Sequence, residues 1–154
     1  MEKIVSMIRR LTTLALVLFA GFAVARADDA PPLNARGPEP REVSLGGQPI
    51  KLSDYAVPGK TTIFDFYSEF CPPCRAIAPL VKKLHEARSD LAVVEVDINR
   101  PGLKAIDWES PIAKEFQLDS IPHFKVFGPD GKLLAEGDDA RTTVMGWIQS
   151  SVSF

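Results

Sequence analysis

The stretch FDFYSEFCPPCRAIAPL, Phe64 to Leu80, joins a β-branched and aromatic run to an amphipathic one, and at the junction stand Cys71 and Cys74, the two cysteines of the chain. Upstream, TTIFDFYS (61–68) carries apolar side chains at adjacent positions, which predicts a strand covered on both faces, as in parallel sheets. Downstream, Ile77, Leu80, Val81 and Leu84 recur at i, i+3, i+4, i+7 and predict an amphipathic helix from Cys74 to Arg88. Pro73 suits its first turn, whereas Pro79 falls inside it and is expected to kink it. Cys71 is thereby set just before or at a helix N-terminus, and Cys74 one turn inside.

That placement favours redox chemistry. The helix dipole and free N–H groups favour negative charge on Cys71, and such placements lower a thiol pKa from about 8.5 to somewhere between about 3.5 and 7.5. The Cys71 thiolate can attack a partner disulfide, and Cys74, held within reach, can resolve the mixed disulfide. A structural zinc site takes four ligands, and only His85 and His123 remain to complete one. Covalent haem attachment needs C-x-x-C-H, but residue 75 is Arg. A purely structural disulfide would close too short a loop to remove much unfolded-state entropy. The expectation is therefore no metal, and no cofactor beyond a redox-active Cys71–Cys74 disulfide.

The ends of the chain point to export. MEKIVSMIRR supplies Lys3, Arg9 and Arg10; LTTLALVLFAGFAVA is an uncharged apolar run; Ala25-Arg26-Ala27 has small residues where a signal peptidase reads. The apolar run is shorter than the roughly 20 residues needed to span a bilayer. Residues 1–27 are thus expected to be a signal peptide, cleaved near Ala27/Asp28 to give a periplasmic or secreted protein; a retained membrane anchor is the alternative. Residues 28–40 are proline-rich and read as a flexible linker, leaving 41–154 as one domain. The net charge of −2 becomes more acidic once Lys3, Arg9, Arg10 and Arg26 leave with the signal, against the single acid Glu2. Nothing in that balance indicates nucleic acid or an anionic membrane surface as partner. A domain of this size buries roughly two thirds of its unfolded surface, so the cysteines are not needed as staples.

Further along, EVSLGGQPIKL predicts two short strands around Gly46-Gly47, LAVVEVDI (91–98) a strand, and SPIAKEFQL a helix with Ser110 as N-cap and Pro111 at its first position. HFKVFGPDGKLLAEG predicts a hairpin turning at 128–131, and a last helix is expected from about Thr142 to Ser151. The sum is an α/β fold with a mixed sheet flanked by helices and a short N-terminal hairpin.

These residues carry a resemblance. FDFYSEFCPPCRAIAP resembles the active-site segment of the thioredoxin superfamily, including the acid six residues before the first cysteine and the proline five after the second. SIPHF (120–124) resembles that family's cis-proline loop, at the expected place before the hairpin. The EVSLGGQPIKLSDY lead-in and the export signal resemble the exported, TlpA-like branch. The resemblance runs over about residues 42–151 and implies a thioredoxin fold and thiol–disulfide oxidoreductase activity. It implies Cys71 as nucleophile, Cys74 as resolving thiol, Asp65 as the buried acid that moves the proton of Cys74, and Pro122 as a cis-proline facing the cysteines. The backbone of Ile121 would pair with substrate, and Phe70 would form an apolar lip where the family has tryptophan.

Other positions are left open. Glu95 stands where many thioredoxins have lysine; it either points inward and raises the pKa of Asp65 by like-charge repulsion, or outward into solvent. His123 either stabilises the Cys71 thiolate or faces solvent. LKAIDWES (103–110) looks inserted, with Trp108 expected in the core. Two features lean the pair toward reduction: Asp65, and Pro72 and Pro73, which lack N–H groups and so deny the thiolate two donors. The expected function is reduction of protein disulfides by a monomer, fed by a membrane thiol-electron transporter. By resemblance the substrates are oxidised exported proteins or apocytochrome cysteines. The alternatives are an oxidase or isomerase of folding proteins, and a redox-inert binding module.

Overall fold

In a computed structural model the described residues are 40–43 and 45–151; the expected signal segment and all but the end of the linker lie outside them. The run around Asp65 forms β2 (Thr61–Tyr67), with its five central residues buried. Alternation divides them between two cores. Ile63 packs with Val81, Leu84, Val93, Phe124, Val144 and Ile148 on one face, and Phe64 and Phe66 pack with Val94, Val96, Ile112 and Leu118 on the other.

The sheet has five strands: β1 (Arg41–Val43), β2, β3 (Leu91–Asp97), β4 (His123–Phe127) and β5 (Leu133–Glu136), in spatial order β1-β3-β2-β4-β5. β1, β3 and β2 are parallel, while β4 and β5 run antiparallel to their neighbours. The expected mixed sheet is therefore present. Helix α1 (Pro72–Ala87) and helix α3 (Gly137–Ser151) supply the first core, and the short α2 (Pro111–Glu115) supplies the second. Ser110 caps α2, its Oγ accepting the Ala113 N–H at 3.2 Å, as its position before Pro111 predicts. The 123–136 hairpin closes through the Gly131 N–H to Gly128 carbonyl bond at 2.9 Å.

Four expectations need amendment. The turn at Gly46-Gly47 is present, both glycines having positive φ, but of the two strands expected around it only the first is a strand. β1 pairs in parallel with β3 instead of folding back on residues 48–50. Tertiary pairing decides this: Gly47 is pressed against the loop after β3, and its carbonyl accepts the Ile112 N–H at 2.9 Å, drawing the chain toward α2. The last helix starts at Gly137, not near Thr142; Asp138 and Asp139 in its first turn suit the positive end of the dipole. Helix α1 starts at Pro72, two residues before the expected Cys74, and runs through Pro79, which lies on its exposed side where the orphaned backbone carbonyl can meet water.

The fourth is Trp108, which is 37% exposed rather than in the core. Its loop is held by polar clasps instead of apolar burial. Arg100 donates from Nε and Nη2 to the buried Asp107 carboxylate at 2.6 and 2.9 Å. Asn99 Nδ2 donates to the Ala105 carbonyl at 2.8 Å. A bidentate ion pair closing a short loop fixes the backbone without needing the indole inside.

Candidate active site

The C-terminal ends of β1, β2 and β3 and the start of β4 all reach one edge of the sheet, and the cysteines lie there. Between β2 and α1 the chain turns on Ser68, which is fully buried. Its Oγ accepts the Phe70 N–H at 3.2 Å and its carbonyl accepts the Cys71 N–H at 3.0 Å. Sequence reasoning missed Ser68; a serine closing a strand before a turn was the available signal.

Cys71 then becomes the N-cap of α1. Its backbone is extended, and its Sγ accepts the Cys74 N–H at 3.2 Å. Pro72 and Pro73 occupy the first helical positions and have no N–H, so Cys74 supplies the first available donor. Cys71 and Cys74 are joined as a disulfide with Cα atoms 5.3 Å apart, and both are buried beneath the exposed Pro72 and Pro73. The half-buried Phe70 flanks them.

The Ile121–Pro122 bond is cis, and Cys71 Sγ lies 3.6 Å from the Ile121 carbonyl oxygen. The expected cis-proline is thus opposite the nucleophile position, although local sequence alone does not decide the isomer. Arg141 of α3 donates from Nη2 to the Pro122 carbonyl at 2.7 Å and pins the loop from the far side. Nothing in the sequence marked Arg141, because the contact joins two distant elements.

Asp65 sits two residues along β2 from Ile63, on the face covered by α1. Cys74, one turn into α1, packs with Cys71 in the cluster that holds Phe64 and Phe66. Asp65 lies 3% exposed, and its Oδ1 meets no hydrogen-bond partner. Burial first, and the Glu95 carboxylate second, push its pKa up to about 8. Glu95 is the register partner of Asp65 across the parallel β2–β3 pair and is half-buried, which resolves the inward and outward alternatives in favour of the Asp65 face.

His123 is half-buried and does not face solvent. Its ring is the register partner of Phe66 and meets it edge-on at 6.0 Å, on the sheet face opposite Asp65. Its Nε2 lies 3.7 Å from Glu136 Oε1. Burial, then the Lys125 charge, hold its pKa below the ordinary range, favouring the neutral ring at pH 7. His85 on α1 is likewise engaged, its Nδ1 accepting the Val93 N–H at 3.2 Å where β3 extends past β1. Among the described residues no cluster of His, Cys, Asp or Glu could hold a metal, and no helix is long and apolar enough to cross a membrane. A cavity of ≈ 230 Å³ lined by Ser53, Val57, Pro58 and Gly128 to Gly131 opens at the opposite edge of the sheet, away from the cysteines.

Similar proteins have the same character. Chloroplastic thioredoxin F2 of Arabidopsis thaliana is 32% identical over 82 residues, covering 53% of this chain and 40% of that one. Mitochondrial thioredoxin-3 of Saccharomyces cerevisiae is 34% identical over 84 residues, covering 54% of this chain and 58% of that one. The chain thus spans roughly half the length of these relatives. Among solved structures, thioredoxin F from spinach chloroplast superposes with TM-score 0.52 at 24% identity, over 75% of this chain and 88% of that one. A mutant thioredoxin from Halobacterium salinarum does so with TM-score 0.51 at 24% identity, over 76% and 94%. Those two likenesses establish the fold. Residues 53–150 match the thioredoxin family, and with the Cys71–Cys74 disulfide capping α1 opposite a cis-proline, this chain belongs to it.

Proposed function

We propose that this protein is a thiol–disulfide oxidoreductase that reduces disulfides in other proteins. The observation that carries this reading is the position of Cys71, whose sulfur caps α1 and accepts the Cys74 N–H at 3.2 Å. A thiolate there is stabilised by that donor and by the helix dipole, and it is the attacking species. In the dithiol form the Cys71 thiolate attacks one sulfur of a substrate disulfide; that S–S bond breaks, and the departing thiolate takes a proton from water. Cys74 then gives its proton to a base and attacks the Cys71 sulfur, releasing the second substrate thiol and re-forming the Cys71–Cys74 bond. Two electrons pass to the substrate. Asp65 is the proton carrier in this scheme, and Phe70, Ile121 and Pro122 receive the substrate chain.

The lean toward reduction rests on Asp65 and on Pro72 and Pro73. With both N–H groups missing, Cys71 Sγ has one first-turn donor, and a less stabilised thiolate makes the dithiol the stronger reductant. The sequence of residues 1–27 supports export, with residues 28–40 as linker and 41–154 as the working domain. In an oxidising compartment a reductant needs recharging, which supports a membrane thiol-electron transporter as partner and a TlpA-like placement within the family. We read the protein as a monomer that works without metal or organic cofactor.

Equilibration with glutathione buffers tests the direction. The expected midpoint lies on the reducing side of about −180 mV, toward the value of about −270 mV typical of thioredoxin. A midpoint near about −120 mV, where DsbA lies, would overturn the reductant reading in favour of an oxidase.

A further inference from the structure

Residues 119–122 lead into β4 and carry Ile121, whose carbonyl oxygen lies 3.6 Å from Cys71 Sγ. This loop is held at two points. At its near end the Leu118 N–H donates to the Ala113 carbonyl at 2.8 Å. At its far end Arg141 Nη2 donates to the Pro122 carbonyl at 2.7 Å. Among the described residues, no backbone–backbone hydrogen bond outside the helices and strands involves residues 119–122. The sheet does not reach the Pro122 carbonyl either: the β2–β4 ladder ends at the Phe66–His123 pair, and the β4–β5 ladder at the Lys125–Glu136 pair.

Arg141 is itself firmly placed. Helix α3 follows β5 without an intervening loop, and a Cβ at Gly137, its first residue, would lie 3.8 Å from His123 Cε1. The neighbouring Ala140 is fully buried, as are Val144 and Ile148, which seat the helix against Phe124 and Val126. Arg141 is half-buried and Pro122 buried, so their bond is shielded from water. Its donor is charged, and charge-assisted bonds are shorter and stronger than neutral ones. Without that donor a buried carbonyl would lose its partner.

We propose that Arg141 is a positioning residue for substrate recognition: by holding the Pro122 carbonyl it sets the Ile121 backbone at the angle that receives a substrate chain beside Cys71. This rests on the oxidoreductase reading above, in which Ile121 and Pro122 receive that chain, and it assigns the residue that orients them. Consecutive carbonyls carry the effect. The Ile121 carbonyl faces Cys71 and the Pro122 carbonyl faces α3. Between them stand a planar peptide unit and the fixed φ of proline. Fixing the second carbonyl therefore leaves the first little freedom to turn. A chain-binding edge set in advance avoids the ordering cost that a loose edge incurs on binding. A small disulfide brings no chain and does not use this edge.

The test compares Arg141→Met, which keeps an unbranched side chain and removes the donors, with Arg141→Lys, which keeps a charged donor. Reduction of insulin, which brings a chain, is measured beside reduction of hydroxyethyl disulfide, which does not, with dithiothreitol as electron donor. In Arg141→Met the KM for insulin should rise about 5- to 20-fold, the scale of a lost hydrogen bond to a charged group. Its kcat should stay within about 2-fold, because binding lost equally from ground and transition states appears in KM alone. The kcat/KM for hydroxyethyl disulfide should fall by less than about 2-fold, and Arg141→Lys should bring the insulin KM to within about 3-fold of the unaltered protein. An unchanged insulin KM, an equal loss with both disulfides, or no recovery in Arg141→Lys would overturn the inference while leaving the oxidoreductase reading intact. Failure of the unaltered protein to reduce either disulfide would overturn both. Amide hydrogen exchange of the oxidised protein gives a readout independent of turnover: exchange at Ile121 should quicken about 10-fold in Arg141→Met with Ile63 in β2 unaffected, as local loosening requires. Unchanged exchange at Ile121, or an equal rise at Ile63, contradicts the proposal. Should Arg141→Met not fold, Arg141→Gln, which keeps a neutral donor on a shorter chain, is judged by the same criteria.

Discussion

Replacing Cys71 with serine should abolish disulfide exchange, lowering insulin reduction by at least about 1,000-fold, the scale of loss when an enzyme's nucleophile is removed. The reason is chemical, not architectural. A serine hydroxyl at the α1 N-cap still accepts the Cys74 N–H, and serine is a favoured N-cap residue, so the helix start survives. What disappears is the Cys71 thiolate, which attacks the substrate disulfide and holds the substrate covalently. Circular dichroism of the variant should match the unaltered protein, separating lost chemistry from lost fold. Retained insulin reduction would remove Cys71 from the nucleophile role.

The second large effect is on stability. Asp65 is buried with Oδ1 unpartnered, and its pKa is raised from 3.8 to about 8 in the folded state. Between those values the native state holds a proton that the unfolded state has released, so stability falls as pH rises. The contribution is fully present below the unfolded pKa and lost as pH passes the folded one. Over that window the loss approaches ~6 kcal/mol, taking about 1.4 kcal/mol per pKa unit. Asp65→Asn removes the titrating group, so denaturant unfolding of the oxidised protein should show the variant gaining on the unaltered protein from pH 5 to pH 9. A constant difference across that range would mean that Asp65 does not titrate as its surroundings dictate.

Much of this fold was legible because it is local. β2 and β3 are short β-branched and aromatic runs, α1 shows its period in Ile77, Leu80, Val81 and Leu84, and Ser110-Pro111 marks the start of α2 as written. The cysteine pair at the strand-to-helix junction followed from the same local signals. Tertiary contacts settled the rest. The partner of β1 is β3, some fifty residues away, and a Gly-Gly turn suggests a hairpin when no such partner is known. The start of α3 was hidden because Gly137-Asp138-Asp139 resembles a loop, although two acids are also what a helix N-terminus prefers. Trp108 shows that burial preferences yield to polar clasps, here Arg100 with Asp107.

At the site, chemistry-bearing residues were visible and their supports were not. Cys71, Cys74, Asp65 and Pro122 stand in recognisable places, whereas Ser68 and Arg141 act only once the chain is folded. The burial of His123 was not foreseen, because alternation along β4 could not say which face its partner Phe66 would take. Glu95 was left between two faces for the same reason, and the β2–β3 register decided it.

The central claim is that Cys71 attacks and Cys74 resolves. Its most direct test is mass spectrometry of Cys74→Ala after exposure to an oxidised protein substrate under non-reducing conditions. The account expects a stable mixed disulfide at Cys71, one substrate chain per protein molecule, released by added thiol and absent when Cys71 is also replaced. A Cys74→Ala protein that forms no adduct, or one that still turns over substrate catalytically, would contradict it.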